Sequence, residues 1–440
     1  MAIKDAMDVA GLPTTGGSSS LSSLTGGIDF IPDRDAPIVA RLRDAGVIII
    51  GKTNIPDWSR DGSRSTSTVA GPTRNSYNVT RAPGGSSGGS AVAVATGMTI
   101  PATAEETGSS ITNPASANSL VGIRPTFGLI PSTGVMPGQG YFRDVMGPLA
   151  KTVKDAAFML DAIAGYTPDD PKTSEAIGKI PAGGYLSALS DTALQGARIG
   201  VYGPGWNSVT LTPETQSLFQ RELDVLAAQG ATLVADPFFG SGYRELNQNV
   251  PSSNTFSYDI NQYFGRLGEA TINSVAEFDS LSAVPWYSLP LQRTASSEAD
   301  PATRADLVPY FERRDAMRTL FHQIMDTYDL DALVMPQLAA PVPDPSSTVA
   351  ISRTPGGGVN VMGIPGVVVP GGYYGDGTPF ATYFVGRMWD EAKLIGLAYD
   401  YEQATLHRVA PTLVPEPASL AICLLQVAAL CQLAASRRRA

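Results

Sequence analysis

Two short runs of serine and glycine carry the groups best able to do chemistry. One is Arg81-Ala82-Pro83-Gly84-Gly85-Ser86-Ser87-Gly88-Gly89-Ser90-Ala91; the other is Thr107-Gly108-Ser109-Ser110-Ile111. A serine hydroxyl held on such a loop can attack a carbonyl carbon once a base takes its proton. Backbone N–H groups left unpaired there can bind a developing oxyanion. Glycine allows the positive φ and the close approach that such loops need. The competing reading is a flexible Gly/Ser linker. No charge interrupts the first run, and it leads into Ala91-Val92-Ala93-Val94-Ala95, a buried element by composition. The second opens directly into Ile111 and a Pro-Ala-Ser turn. Both features speak against a linker.

The base is the open question. The chain has two histidines, His322 on a predicted helix and His407 near a helix end. Neither stands in a glycine-rich loop, so a Ser–His–Asp arrangement is disfavoured. A lysine can serve if it is neutral, which requires its reference pKa of about 10.4 to fall. Burial does that by disfavouring the ammonium form. Lys4 and Lys52, the latter in Gly51-Lys52-Thr53-Asn54, both follow strand-like segments. The residues alone leave the choice between them open.

The elements that must position these groups alternate along the chain. Ala2-Ile3-Lys4 reads as a strand. Asp35-Ala36-Pro37 reads as an N-cap with proline in the first helical turn. Ile38, Val39 and Leu42 then form an apolar face before Gly46. Val47-Ile48-Ile49-Ile50 predicts a continuous strand buried on both faces. Thr152-Val153-Lys154-Asp155 resembles a capping box, and Ala156, Phe158, Met159, Leu160 and Ile163 follow at helical spacing as predicted core. Arg198–Tyr202, the amphipathic stretch Thr212–Ala228 and Ala231–Val234 repeat a β–α–β pattern. Glu312–Tyr328 reads as a helix, Leu333–Pro336 and Val367–Pro370 as strands, and Trp389–Ala404 as a closing helix. The alternation predicts an α/β fold, a mixed sheet covered by helices on both faces.

Composition narrows the function. The chain has 440 residues and a net charge of −10. That argues against a nucleic-acid partner, which needs basic patches. The only cysteines, Cys423 and Cys431, lie near the C-terminus. A disulfide framework, a cysteine metal site and a cysteine nucleophile are therefore excluded from the body. Residues 236–309 are rich in aromatics, among them Phe238, Phe239, Tyr243, Phe256, Tyr258, Tyr263, Phe264, Trp286 and Tyr287. They read as an insert lining a substrate entrance, although singly most would be ordinary core.

The order Lys4-Asp5, Gly84 to Ser90 and Thr107 to Ile111 resembles the amidase signature family of Ser–cis-Ser–Lys hydrolases. The resemblance continues through Gly122-Ile123-Arg124-Pro125-Thr126-Phe127-Gly128, Gly147 to Val153 and Asn360 to Pro370, and covers roughly residues 1 to 410. It implies one large domain, residues 1–409, and no metal or cofactor. It also implies that helices usual before the Lys-Asp motif are missing from this N-terminus. By the same resemblance Ser110 is the nucleophile, Ser86 in a cis peptide bond is the bridge, and Lys4 is the base. The backbone N–H groups of Thr107, Gly108, Ser109 and Ser110 form the oxyanion hole, with Ser87, Lys52 and Glu106 in support. For Lys52 a solvated strand-end charge is the other reading. Four departures stand out. Ser109 replaces a usual glycine, Thr112-Asn113 stand where an arginine is common, Glu105 is unexpected beside Glu106, and Ala6 replaces a frequent asparagine.

The implied activity is hydrolysis of carbon–nitrogen amide bonds of small molecules, with carbamates or esters of apolar or aryl groups as an extension. Two other readings compete. One is a glutamine-hydrolysing amidotransferase A-type subunit; the other is a non-catalytic, surface-anchored homologue. The end of the chain, residues 410–440, differs in kind. Val414-Pro415-Glu416-Pro417 precedes an apolar run from Leu420 to Ala435, and Arg437-Arg438-Arg439 follow. About 20 apolar residues span a bilayer core, so the run is marginal for crossing, and the arginines fit the positive-inside rule. This pattern resembles a PEP-CTERM sorting tail and points to export and the cell envelope of a bacterium, or to the cytoplasm if no leader exists.

Overall fold

The computed structural model describes residues 1–412 apart from 139, 249, 267–271 and 282–296. Ten strands build one mixed sheet. They are β1 (Ala2–Lys4), β2 (Gly51–Thr53), β3 (Ala102–Glu106), β4 (Val121–Arg124), β5 (Val145–Ala150), β6 (Arg198–Val201), β7 (Thr232–Ala235), β8 (Ala332–Pro336), β9 (Gly366–Tyr373) and β10 (Pro379–Val385). Their order across the sheet is β2-β1-β3-β5-β4-β9-β10-β8-β6-β7. The strands at either end, β2-β1-β3 and β8-β6-β7, are parallel. The central neighbours are antiparallel.

Successive strand residues point to opposite faces, and here both faces are apolar. Ile3, Met146, Val334, Val367 and Val369 enter one hydrophobic cluster. Their sequence neighbours Ala2, Val145, Leu333, Met335 and Val368 enter a second. A sheet buried on both sides needs helices on both sides. They include α1 (Pro37–Asp44), α2 (Gly88–Ala95), α3 (Thr112–Ala117), α4 (Val153–Ile163) and α5 (Pro213–Ala228), then helices over Tyr243–Asn247, Phe256–Gly265, Val275–Leu281, Val308–Thr327, Gly358–Met362 and Glu391–Thr405. The result is a single large α/β domain.

Local chemistry explains several boundaries. Thr152 caps α4 by accepting the Asp155 N–H at 3.0 Å. Thr212 caps α5, with Pro213 in its first turn. Three expectations are corrected. Val47–Ile50 is not a strand buried on both faces. Val47 and Ile49 pack on the core, but Ile48 and Ile50 are 79% and 60% exposed. This stretch leads into the edge strand β2, where no further strand pairs among the described residues. Phe158 is 64% exposed rather than core. Val153, Ala156, Ala157, Leu160 and Ile163 define the inward stripe of α4, and Phe158, two residues after Ala156, points to the other side. Asp35 does not cap α1; Ala36 holds that position, and the Asp35 carboxylate accepts the Ala10 N–H instead.

Candidate active site

Lys4 ends β1 with its side chain fully buried. β1 lies between β2 and β3, which brings the lysine beside Glu105. Its Nζ lies 2.7 Å from Ser86 Oγ, 2.7 Å from Glu105 Oε2 and 3.1 Å from the Glu105 carbonyl. Ser86 comes from the loop that enters α2, and its peptide bond to Gly85 is cis. The glycines of this loop are dictated by contact. Gly84 has φ +76 and lies against the Pro114 backbone, and a Cβ on Gly85 would stand 2.2 Å from the Asp61 carbonyl.

The three neighbours of Nζ can be met by the three hydrogens of an ammonium, and equally by an uncharged amine. A neutral amine has two hydrogens and one lone pair. The Glu105 carbonyl can only accept, and the unprotonated oxygen of a carboxyl group likewise accepts. The Ser86 hydroxyl can donate to the lone pair. Burial pushes the Lys4 ammonium pKa down, against an upward pull from Glu105. Burial also pushes the Glu105 carboxyl up, against the opposite pull of Lys4. Desolvation is the larger influence on both groups, and both directions favour uncharged partners.

Ser110 lies between β3 and α3 and is tied to the other loop, since the Ser87 N–H donates to its carbonyl at 3.3 Å. The Ser87 hydroxyl donates to the Glu105 carbonyl at 3.3 Å. Glu106 fixes the start of α3. It accepts the N–H groups of Ile111 and Thr112 at 2.9 and 3.0 Å and the Thr112 hydroxyl at 3.2 Å. Its other oxygen accepts from Asn360 at 2.7 Å and pairs with Arg124 at 3.1 Å. Among the described residues, the backbone N–H groups of Thr107, Gly108, Ser109 and Ser110 have no protein partner. Residues 107–110 border a cavity of about 550 Å³, also lined by residues 59–63, 113, 143, 350, 351 and 353.

The structure thus brings together Lys4, Ser86, Ser87, Glu106 and the 107–110 loop. Lys52 is not brought to Ser86. It pairs in register with Ile3, on the face opposite Lys4, and binds Asp5 at 2.9 Å and the Thr14 hydroxyl at 2.7 Å. His407 bonds Glu222 at 2.9 Å, and His322 lies on helix Val308–Thr327. The aromatic insert contributes no described residue to this cavity. Phe238 and Tyr243 instead pack with Trp206, while Tyr258 and Tyr263 line a separate one. Trp286 and Tyr287, and the tail from residue 413 onward, lie outside the described residues.

Sequence reasoning missed four participants. Glu105 touches the lysine. The Thr107 hydroxyl links Glu105 to Asp144. Arg124 places a buried cation on Glu106, and Arg353 donates to the Gly108 carbonyl. Glu105 carried a signal, being an acid out of place in an otherwise familiar motif. The other three depend on long-range contacts.

Comparison with known proteins places the molecule among hydrolases of carbon–nitrogen amide bonds. More particularly, the chain belongs to the amidase (amidase signature) family, whose model matches residues 1–395. It is 31% identical over 429 residues to the A-type subunit of glutamyl-tRNA(Gln) amidotransferase from Rippkaea orientalis, covering 93% of this chain and 85% of that protein. It is 30% identical over 419 residues to a probable amidase of Arabidopsis thaliana, covering 92% and 75%. Native peptide amidase from Stenotrophomonas maltophilia has the same fold, with a TM-score of 0.74, 30% identity, and coverage of 93% of this chain and 83% of that one.

Proposed function

We propose that the chain hydrolyses small-molecule amides through an acyl-enzyme on Ser110, with Ser86 as relay and Lys4 as base. The observation that carries this reading is the 2.7 Å contact between the buried Lys4 amine and Ser86, one residue from the Ser87–Ser110 link and beside the cavity. As Ser110 Oγ attacks the carbonyl carbon, its proton passes to Ser86 while the Ser86 proton passes to Lys4. The free N–H groups of residues 107–110 receive the oxyanion. The relay then runs backward to protonate the leaving amine. Water, activated by the same relay, frees the acid. Anilides, carbamates and esters with apolar or aryl groups are the substrate range to examine.

A fluorophosphonate probe should label wild-type protein at Ser110. Release of aniline from an acyl anilide should vanish in Ser110→Ala and fall by at least about 100-fold in Lys4→Ala at neutral pH, the scale of a lost general base. Full activity in Ser110→Ala would refute the assignment.

The similarity to an amidotransferase A-type subunit favours a second reading, glutamine hydrolysis within a larger assembly. Strong glutaminase activity only on co-purification with partner proteins would select it. For the tail we retain export to the cell envelope as a proposal, tested by fractionating cells that express the full chain.

A further inference from the structure

Glu105 stands where nothing in the proposed relay requires an acid, yet it touches the base. We propose that Glu105 is a positioning residue that remains a protonated carboxyl, its proton directed through the Thr107 hydroxyl toward Asp144, so that the Lys4 amine stays uncharged with its lone pair on Ser86. The inference rests on the Ser110–Ser86–Lys4 reading above and adds to it the residue that sets the state of the base.

The argument is an accounting of hydrogens. Thr107 Oγ1 has one hydrogen and two carboxyl neighbours, Asp144 Oδ1 at 2.6 Å and Glu105 Oε1 at 3.1 Å. It can donate to only one of them. The shorter contact has the length of a hydroxyl donating to a carboxylate. Asp144 Oδ2 also accepts the Gly138 N–H at 2.7 Å. The contact to Glu105 is then attractive only if Glu105 supplies its own hydrogen from Oε1. With that proton in place, Oε2 accepts from Lys4 at 2.7 Å and the Glu105 carbonyl accepts the second amine hydrogen at 3.1 Å. The Ser86 hydroxyl at 2.7 Å is left to donate to the lone pair. Every donor has one acceptor. An ionised Glu105 would instead set two oxygen lone pairs against each other at Thr107 as long as that hydroxyl donates to Asp144.

The surroundings agree. Glu105 and Lys4 are both fully buried, and an uncharged pair avoids desolvating two ions. From β5 the residue opposite Glu105 is Met146, which is apolar. The loop that carries Ser86 and Ser87 presents hydroxyls only. The charged groups near the pair are Asp144, just before β5, and Glu106, the next residue of β3. Asp144 in turn faces Asp259, whose carboxyl is pushed up to about 7 by burial. A second negative charge at position 105 would add to this acidic neighbourhood. In the reaction Lys4 gains the Ser86 proton and becomes ammonium, still donating to Oε2. Glu105 neither gains nor loses a proton.

The test uses the full chain and aniline release, with kcat/KM measured against pH. Glu105→Leu removes both the acceptor for Lys4 and the donor to Thr107, and should lower kcat/KM about 100-fold. Glu105→Gln reproduces the protonated acid, with its carbonyl toward Lys4 and its amide N–H toward Thr107. It should restore activity to within about 5-fold, with the acid limb of the profile within about half a pH unit of wild type. An acid limb in Glu105→Gln displaced downward by a unit or more would show that a carboxylate had been holding Lys4 charged, and would overturn the inference. So would a glutamine variant as impaired as the leucine one. The infrared difference spectrum between wild type and Glu105→Gln at neutral pH reads the same question without turnover. A protonated-carboxyl C=O band supports the inference and a carboxylate band defeats it. Activity surviving in Ser110→Ala would instead condemn the relay, so the two failures are distinguishable.

Discussion

The substitution Glu106→Gln would strip one negative charge from a site with no solvent to replace it. Glu106 and Arg124 are 1% and 0% exposed. One carboxylate oxygen accepts Ile111 N–H, Thr112 N–H and the Thr112 hydroxyl, and the other accepts from Asn360 and forms an ion pair with Arg124. An amide has a single carbonyl oxygen. Turned toward α3, it sets its own N–H groups against the Asn360 amide and the Arg124 guanidinium. Turned the other way, it opposes two backbone N–H groups. Removing one partner of a buried pair in this manner costs about 3–5 kcal/mol. With a urea slope of about 3 kcal/mol per M, the unfolding midpoint drops by about 1 M or more. Far-UV circular dichroism through a urea series measures it. The damage should not stop at stability. Ile111 follows Ser110 directly, and displacement of a nucleophile by about 1 Å can cost about 100-fold in rate, so aniline release at saturating substrate should fall on that scale. Adding Arg124→Met should recover part of the loss, because it removes the stranded cation. A midpoint change worth less than about 1 kcal/mol, or strict additivity in the double variant, would refute the reasoning.

Two further outcomes are expected. Glu402 accepts the Val153 N–H at 2.9 Å, and burial pushes its carboxyl up to about 7. Between about pH 4.5 and 7 the folded chain therefore holds a proton that the unfolded chain lacks, and stability falls as pH rises through that window. Glu402→Gln abolishes this dependence, so its melting temperature relative to wild type should climb from pH 5 to pH 7.5; a constant difference would contradict the burial argument. Arg143 and Arg353 border the Ser110 cavity, and neither forms an ion pair among the described residues. An anilide bearing a carboxylate should thus show a lower KM than its uncharged analogue at low salt, with the advantage shrinking at high ionic strength. Equal KM values at all salt concentrations would exclude that attraction.

What was legible in the sequence was what local rules govern. Thr152 and Thr212 announce helix starts because a hydroxyl at the N-cap takes an orphan N–H within three residues. The order of Lys4, Ser86 and Ser110 was readable because each sits in a compact motif, and the glycines beside Ser86 are forced by close contact, as at Gly84 and Gly85. Exposure was less legible. Ile48 and Ile50 belong to a run as apolar as any central strand, but position at a sheet edge is a property of the assembled fold. Phe158 fits a helical period and still faces outward, since one residue of rotation decides the side. The aromatics of 236–309 suggested an entrance, whereas Tyr243 stacks on Trp206 from another segment and Phe238 meets the same ring edge-on.

The departures at 105 and 112 are where sequence reading stopped and pairing across the sheet took over. Thr112 stands where the family resemblance implies an arginine, and taken alone it leaves Glu106 without a cation. The cation arrives from Arg124 at the end of β4, two strands away from β3 in sheet order. Gln337, just after β8, then donates to both Thr112 and Asn113 at 3.0 Å. With Arg124 paired to Glu106, Lys4 is the only basic side chain that bonds Glu105 among the described residues. Asp144 lies on the far side of Thr107. Glu105, Asp144 and Lys4 thus form one buried group joined through the Thr107 hydroxyl, and on the inference drawn above the Thr107 contacts decide which acid holds a proton. The motif shows an acid out of place; the strand order shows that Arg124 is committed to Glu106 and that Lys4 is the basic group beside Glu105.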